Sequence, residues 1–556
     1  MIKSNMMMTP TVRFFRLLAP YNKAIAHLYI FAILSGIIAL SLPLGFQAII
    51  NLIQGGEISA SWILLIFIVL LGYTFNGLLQ IYQLKITENL QKDIFTKSAF
   101  EFTFRIPRIK MSALHNQYAP ELMNRFFDTI SIQKGISKVL IEFSTSTLQI
   151  FFGLILLSFY HPFFIIFSII LLILALVIGL YLFQRGLKSS IAESKYKYKV
   201  AFWLEELART NTTFRLTCDS LLPLQKTDEL VNAYLDARES HFRILLRQYY
   251  LFIIFKILVA ASFLFLGGKL VFNQQMNVGQ FVAADIIVLL LISSSEKLLL
   301  TLDIVYDMLT SIEKVGQVTD LELEEDKGIE LELYKETGIS VNVQNVSFKY
   351  PDAQDFILKN CTLEIAAGEK VCLTGQHGSG KSTLLTLMTA FYEPYSGIIA
   401  YDGLPIKNYN VSVLRNLIAE CITDDSIFAG TLLENLTMGK DIDFTKIREV
   451  CDSIGLSGFL MESDAGFNTM LGPTGRRLSK SLTKKIILAR SILKKPRLLL
   501  LDDFFSELDL DEKLKLLQYI CEPAHPWTLI VNTSDPIIIN KFNRVIYMQD
   551  GHVKAS

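Results

Sequence analysis

The sequence is poor in charge. Asp, Glu, Lys and Arg make up 19% of its 556 residues, against about a quarter in ordinary soluble chains. Apolar residues reach 51%, which excludes a disordered chain. Only six cysteines are present, too few for a fold held by disulfides. Basic residues are in no excess: 53 Lys+Arg face 53 Asp+Glu, and the formal net charge is zero. A generally basic nucleic-acid binder is therefore excluded, and no nucleic-acid partner is expected. The zero is a cancellation, however. Residues 1–312 hold 27 basic and 19 acidic groups, whereas residues 313–556 hold 26 and 34. Two unlike halves imply at least two domains.

Charge is absent over three long stretches. No Asp, Glu, Lys or Arg occurs from Ala24 to Gly56, from Ile58 to Leu84, or from Phe143 to Gln184. A helix needs about 20 apolar residues to cross a bilayer, so each run suffices. The third is long enough for two spans and is broken by Tyr160-His161-Pro162. Two more fit the region before and after Asn273-Gln274-Gln275-Met276-Asn277. The first half is thus expected to be an all-α membrane domain, 1–312, with six spans near 24–50, 62–84, 137–160, 162–184, 248–272 and 279–302.

The loops set its orientation. Lys3, Arg13, Arg16 and Lys23 precede the first span with no acid, and segments 85–138 and 185–247 carry most other basic residues. The opposite connections contain only Glu57. The positive-inside rule places both termini in the cytoplasm, with the spans in an inner or plasma membrane and its lipid bilayer. Because the chain keeps crossing, its start does not read as a cleaved signal peptide, and it is too short to hold a protease domain ahead of the first span. All six cysteines fall in segments assigned to the cytoplasm and fit no zinc spacing, so they read as reduced structural residues. Lys256 and Asp285 lie inside spans, where a charge faces a cavity or a partner, or snorkels to the interface. The loop regions Arg105–Tyr118 and Arg209–Leu222 lie where the helical extensions turn, and either solvates or touches another domain.

Around residues 313–338 the chain turns acidic. Glu322, Glu324, Glu325, Asp326, Glu330, Glu332 and Glu336 suggest a solvated linker. From Ile339 onward, short β-rich runs alternate with helical patterns, so 339–556 is expected to be an α/β domain. Its strongest motif is Gly375-Gln376-His377-Gly378-Ser379-Gly380-Lys381-Ser382-Thr383. It follows the apolar run Val371-Cys372-Leu373 and opens a helical stretch. This is the setting of a phosphate-binding loop, in which glycines let N–H groups turn toward phosphate oxygens and the helix N-terminus adds positive potential. Lys381 is then placed to reach the β and γ phosphates of ATP, and Ser382 to ligate Mg²⁺. The run Leu498–Leu501 ends in Asp502, a carboxylate placed to hold Mg²⁺ through water.

These motifs, in this order, resemble the nucleotide-binding domain of ATP-binding-cassette (ABC) transporters. Phe348-Lys349-Tyr350 is similar to the loop that stacks on adenine, which makes Tyr350 the stacking residue. Leu478-Ser479 stands where the family signature begins, and Ser479 would contact ATP in trans across a dimer. Ser506-Glu507-Leu508-Asp509 resembles the D-loop. Phe428-Ala429-Gly430-Thr431 through Asn435 resembles the segment after the Q-loop. The six-span half is similar to the membrane domain of type I exporter half-transporters, with weaker echoes at Pro120-Glu121-Leu122 and Gly279-Gln280-Phe281-Val282-Ala283. The resemblance implies ATP and Mg²⁺ as ligands, and a second half-transporter as partner in a homodimer or heterodimer. It leaves room for periplasmic or accessory export components.

The departures from the family pattern cluster at hydrolysis. Asp503 replaces the Glu that polarises the attacking water, and a misplacement of about 1 Å can cost on the order of 100-fold in rate. Asp503 is then a weak general base. Ser534 stands at the switch histidine and offers no cationic contact. Thr423 stands at the Q-loop glutamine, unless a one-residue slip puts Asp424 there. Leu478-Ser479-Lys480-Ser481-Leu482 keeps the signature serine but lacks both glycines that allow close backbone approach. The binding parts are intact while the hydrolytic parts are replaced. The reading that follows is an ATP-binding exporter subunit for a lipid, peptide, protein or drug-like substrate, with weak or partner-dependent hydrolysis. The alternative is a non-transporting ATP-binding subunit that regulates or scaffolds a membrane complex.

Overall fold

The computed structural model describes residues 8–54, 60–115, 117–217, 219–329, 337–421, 427–475 and 477–554, with the side chains of 40, 54, 174–182 and 474 excepted. They form two compact units. One comprises 1–107 and 117–321, the other 108–116 and 322–556.

The first unit is entirely helical. Its long helices are Asn22–Gln54, Ala60–Arg105, Pro162–Arg209, Leu222–Phe272 and Val278–Thr319, together with Asp128–Lys138 and Ser144–Ser158, which are joined through one π-helical turn at Val139–Phe143. Five described helical stretches are long and apolar enough to cross a membrane, and the described apolar part of Pro162–Arg209 runs over Pro162–Ile173. Four of the helices exceed 40 residues. A crossing uses about 20, so each of these continues well past the hydrocarbon. Their apolar side chains point outward as often as inward: Ile63, Phe67 and Leu71 are about 60% exposed. A helical unit that leaves so much apolar surface uncovered is built for lipid, and the protein is an integral membrane protein.

Local chemistry fixes where these helices begin. Pro162 occupies the first turn, where its missing N–H costs nothing, and His161 Nδ1 accepts from the Phe163 N–H at 3.2 Å. Asn277 and Gln280 form a reciprocal capping box, with N–H to side-chain oxygen distances of 2.7 and 2.9 Å. Between the spans, Phe164, Phe263 and Phe281 stack into one apolar layer. Farther along, Tyr306 is fully buried. Its hydroxyl accepts from Gln248 Nε2 at 2.8 Å, and its ring lies over Gly186. Lys256 faces Glu296 at 3.8 Å, a partner on the next span that the sequence reading did not identify.

Two expectations change at the domain junction. The last helix of the first unit runs to Thr319, past the expected end of the membrane domain at 312. The acidic segment is not a solvated connector where it is described. Lys110 Nζ donates to Glu322 at 2.6 Å, Arg415 grips Glu324 through both of its terminal nitrogens, and Ser412 donates to Asp326. Sequence does not show the partners of Glu322, Glu324 and Asp326, which lie 86 or more positions away, whereas Glu325 faces Lys327 two residues on. Glu330, Glu332 and Glu336, as well as Cys218 and Glu57, lie outside the described residues.

The second unit contains two larger sheets. A four-stranded antiparallel sheet orders Leu358–Ile365, Val341–Phe348, Ser396–Tyr401 and Leu404–Pro405. A six-stranded sheet orders His552–Lys554, Arg544–Gln549, Lys370–Gly375, Thr528–Asn532, Leu498–Asp502 and Ile418–Cys421. All of its pairings are parallel except the one to the His552–Lys554 edge. Leu498–Leu501 are wholly buried, as a continuous apolar run in a doubly covered parallel sheet should be. Cys361, Cys372, Cys421 and Cys451 are buried free thiols, and burial pushes Cys372 and Cys421 up to about 12, so they are inert packing residues.

A methyl group at Gly186 would meet the buried Tyr306 ring at 2.4 Å. Gly186→Ala is expected to lower stability by about 1–3 kcal/mol, read as a fall in the thermal unfolding midpoint of the detergent-solubilised protein. An unchanged midpoint would show that this packing does not constrain the fold.

Candidate functional site

The C-terminal ends of the parallel strands meet at one edge of the six-stranded sheet, the usual location of ligand sites in such folds. Gly375 ends the strand Lys370–Gly375, and the helix Lys381–Met388 begins six residues later. Between them the backbone takes left-handed turns at Gly378 (φ +80°) and Gly380 (φ +94°). At Gly380 a side chain would also strike Leu358 at 2.7 Å, so only glycine fits. Gln376, His377, Ser379 and Thr383 complete the loop and the first helical turn.

Lys381 Nζ donates to the carbonyl oxygens of Gly375 at 3.0 Å and Gln376 at 2.8 Å, and to Ser379 Oγ at 3.3 Å. Its ammonium thus hangs over the mouth of the loop. Burial lowers its pKa, and Asp502 opposes that shift. Ser382 Oγ donates to Asp502 Oδ1 at 3.2 Å, and Asn532 Nδ2 donates to the same oxygen. The structure therefore brings together the lysine, hydroxyl and carboxylate that the sequence singled out for phosphate and Mg²⁺.

The residues present fit a divalent cation. Asn532 Oδ1 and Glu420 Oε1 are both buried acceptors with no hydrogen-bond partner among the described residues. Asn532 bonds Asp502 directly, and Glu420 is the register partner of Leu500, two positions before Asp502 on the same strand. Sequence reasoning missed Glu420, because one acid in the run Ile418-Ala419-Glu420-Cys421 looks like an ordinary strand residue. Its environment shows otherwise: burial, with the nearby Asp502 carboxylate adding to it, pushes its pKa up to about 8.

The other expected residues divide clearly. Tyr350 packs edge-on against Phe348 and Tyr392, at 5.1 and 5.4 Å between ring centroids. The ring of His115 lies parallel to it, 3° between planes and 5.2 Å between centroids. His115 comes from the segment 108–116, which belongs to this unit, and no spacing in the sequence connects it with Tyr350. Asp503 is exposed, and its backbone is left-handed at φ +45°. Ser534 is exposed on the loop after Thr528–Asn532. Ser479 caps the helix Lys480–Leu493, its Oγ accepting from the Leu482 N–H at 3.1 Å. Thr423 and Asp424 lie outside the described residues.

Glu420 yields a pH test. The folded chain holds this proton up to about pH 8, whereas an unfolded glutamate releases it near 4.5. Between those values the unfolded state binds fewer protons, so stability falls as pH rises and levels off above 8. Glu420→Gln removes the loss. At pH 8 the variant should be more stable by about 1 kcal/mol or more, since one pKa unit corresponds to ~1.4 kcal/mol. The gain should shrink toward pH 5 in thermal unfolding, and a gain independent of pH would contradict the assignment.

The membrane-spanning half and the sheet-containing half each match a family profile. The profile of the ABC transporter transmembrane region covers residues 25–295, and that of the ABC transporter ATP-binding module covers 358–506. A Bacillus subtilis protein whose name proposes multidrug export is 33% identical over 214 residues, 38% of this chain and 37% of that protein. An ATP-dependent lipid A-core flippase of Thiobacillus denitrificans is 31% identical over 285 residues, 50% of this chain and 48% of that protein. The matched stretches span less than half the length of these curated relatives. The fold as a whole is similar to a bacterial Atm1-family ABC exporter solved with ATP bound, with a TM-score of 0.82, 18% identity, and coverage of 97% of this chain and 95% of that one. The loop geometry and the two matched regions lead to one conclusion: the chain belongs to the ABC transporter family, with a transmembrane region followed by an ATP-binding domain.

Proposed function

We propose that the protein is a half-transporter that couples ATP binding to export, with hydrolysis that is slow or supplied through a partner. The observation that carries this reading is the contrast within one site. Lys381, Ser382 and Asp502 converge, while Asp503 is exposed on a left-handed backbone and Ser534 is exposed. The loop N–H groups and Lys381 would hold the phosphates of ATP, and Tyr350 would take the adenine. Ser382 and Asp502 would hold Mg²⁺, which when bound offsets negative charge on the phosphates. Two such chains, or this chain and another half-transporter, would close on ATP, each lending Ser479 to the site of the other. The basic loops support a cytoplasmic position for the nucleotide-binding domain and both termini, by the positive-inside rule.

The substrate class proposed is a lipid, peptide, protein or drug-like molecule. The names of two relatives support it, one a lipid A-core flippase and one assigned to multidrug export. The changes at Asp503, Ser534 and the signature also favour a second reading, a non-transporting ATP-binding regulator. In that case Lys381→Ala and Asp502→Asn would alter assembly while transport by the associated system persisted.

The purified protein is expected to bind ATP, and Lys381→Ala to weaken that binding at least ~10-fold, because a charge-assisted contact to phosphate is lost. Hydrolysis should change less than ~3-fold in Asp503→Asn, since a group that is no working base has little rate to lose. Neither ATP binding nor ATP-dependent substrate movement, alone or with a co-purified half-transporter, would sink the proposal. A hydrolysis rate abolished by Asp503→Asn would instead make Asp503 the working base.

A further inference from the structure

In the first unit, where helices Pro162–Arg209, Leu222–Phe272 and Val278–Thr319 continue beyond their apolar portions, lies a cavity of about 920 Å³. Its lining holds six cationic side chains, Arg125, Lys188, Lys195, Lys199, Lys226 and Lys314, against two carboxylates. Those two are engaged: Glu121 faces Arg125 at 3.9 Å, and Glu206 accepts from Arg209 at 2.6 Å. The acids around the cavity are engaged as well. Asp128 accepts from the Tyr198 hydroxyl, Glu193 from Arg238, Glu205 from Asn124, and Glu313 faces Arg13.

The five lining lysines therefore lack a carboxylate within 4.0 Å among the described residues. Lys314 is only 7% exposed, with its ammonium 5.3 Å from the Tyr198 ring centroid. Lys226 lies 4.3 Å over Trp203. Collecting ammonium groups around a shared space costs free energy unless an anion enters it. Aromatic and aliphatic walls from Phe202, Trp203 and Leu230 give the same space an apolar side. Its volume suits a drug-sized molecule rather than a single inorganic ion.

We propose that this cavity binds a water-soluble organic anion that carries two or more negative groups and an aromatic or aliphatic body. The assignment rests on the exporter reading for its role as cargo recognition, not for the binding itself. A soluble solute is favoured over a lipid because the lining on the helix Pro162–Arg209 begins at Lys188, after the charge-free run ends at Gln184. The cationic rim is thus set apart from the hydrocarbon that would hold acyl chains.

The test uses the full-length protein in phosphatidylcholine nanodiscs without nucleotide. The probe is pyranine, a pyrene trisulfonate, followed by fluorescence anisotropy, with ethidium as the cationic aromatic control. The protein should bind pyranine saturably and prefer it to ethidium. Lys195→Gln combined with Lys199→Gln, both exposed and in the unit that does not hold the nucleotide loop, should weaken pyranine at least about tenfold through loss of two charge contacts. Lys407→Gln, on the other unit, should leave it unchanged. Equal affinity of the double variant and the parent, or no preference for the anion, overturns the proposal. Displacement of pyranine when phosphatidylglycerol replaces phosphatidylcholine overturns the assignment to a soluble solute. Saturable, variant-sensitive binding without ATP-driven pyranine movement in inverted vesicles supports the cavity and refutes the exporter reading instead.

Discussion

The parallel pairing of Leu498–Asp502 between Thr528–Asn532 and Ile418–Cys421 is the constraint on which the nucleotide site depends. Its register sets Asp502 opposite Asn532 and Leu500 opposite Glu420. The neighbouring strand pairs Val531 with Cys372, three residues before Gly375. One hydrogen-bonded ladder therefore delivers the loop, the carboxylate and the buried acid to a single edge. A slip of one residue would turn Asp502 to the other face of the sheet and move the whole apolar set with it. Leu498–Leu501 are apolar on both faces, so the cost of that slip comes from the terminal acid, which would enter the core.

Legibility in the sequence followed the range of the signal. The phosphate loop is a local pattern, since glycine spacing, lysine and the following helix are all encoded within nine residues. In the structure it lies between the strand Lys370–Gly375 and the helix Lys381–Met388. The membrane helices were legible because hydrocarbon demands long charge-free runs, and their extensions because helical backbone continues past those runs until a cap or turn stops it. What was not legible depends on pairs remote in sequence. Glu324 finds Arg415, His115 finds Tyr350 and Glu420 meets Asp502 only after folding. Composition made the acids of the linker look solvated, and nothing within a local window could have corrected that. The helix that runs to Thr319 shows the same limit at a boundary: charge marks where the bilayer ends, not where the helix does.

Net neutrality follows from two kinds of surface. In the membrane half the basic excess is partly a rim at the ends of the spans, and partly the ring of lysines around the cavity. These have different physics. Rim lysines are solvated and cost little, whereas Lys314 is buried with no carboxylate within 4.0 Å among the described residues. A chain whose charged residues are few places several of them around one open cavity, which is a stronger statement than its overall charge balance.

Asp503 and the segment Leu478–Leu482, two of the places where the sequence differs from the motifs it resembles, are connected in the structure. Lys484, in the altered signature helix, donates to the Asp503 carbonyl at 2.9 Å and to Ser506 Oγ at 2.9 Å. Asp503 N–H donates to the Asn532 carbonyl at 3.0 Å. Lys480 pairs with Glu507, while Ser481 and Lys485 both donate to Glu512. The backbone at Asp503 is thereby held in a left-handed turn, a conformation that short polar side chains tolerate better than long ones. Aspartate at this position thus answers a local backbone demand, and its missing methylene is a consequence of that turn as much as a loss of reach. Lys480, at the third position of the segment Leu478–Leu482, pairs with Glu507, and Lys484, two residues past the segment, holds the Asp503 carbonyl. The start of the helix Lys480–Leu493 and the turn at Asp503 are thus coupled physically, because Lys484 bonds the Asp503 carbonyl and Lys480 bonds Glu507 in the turn that follows.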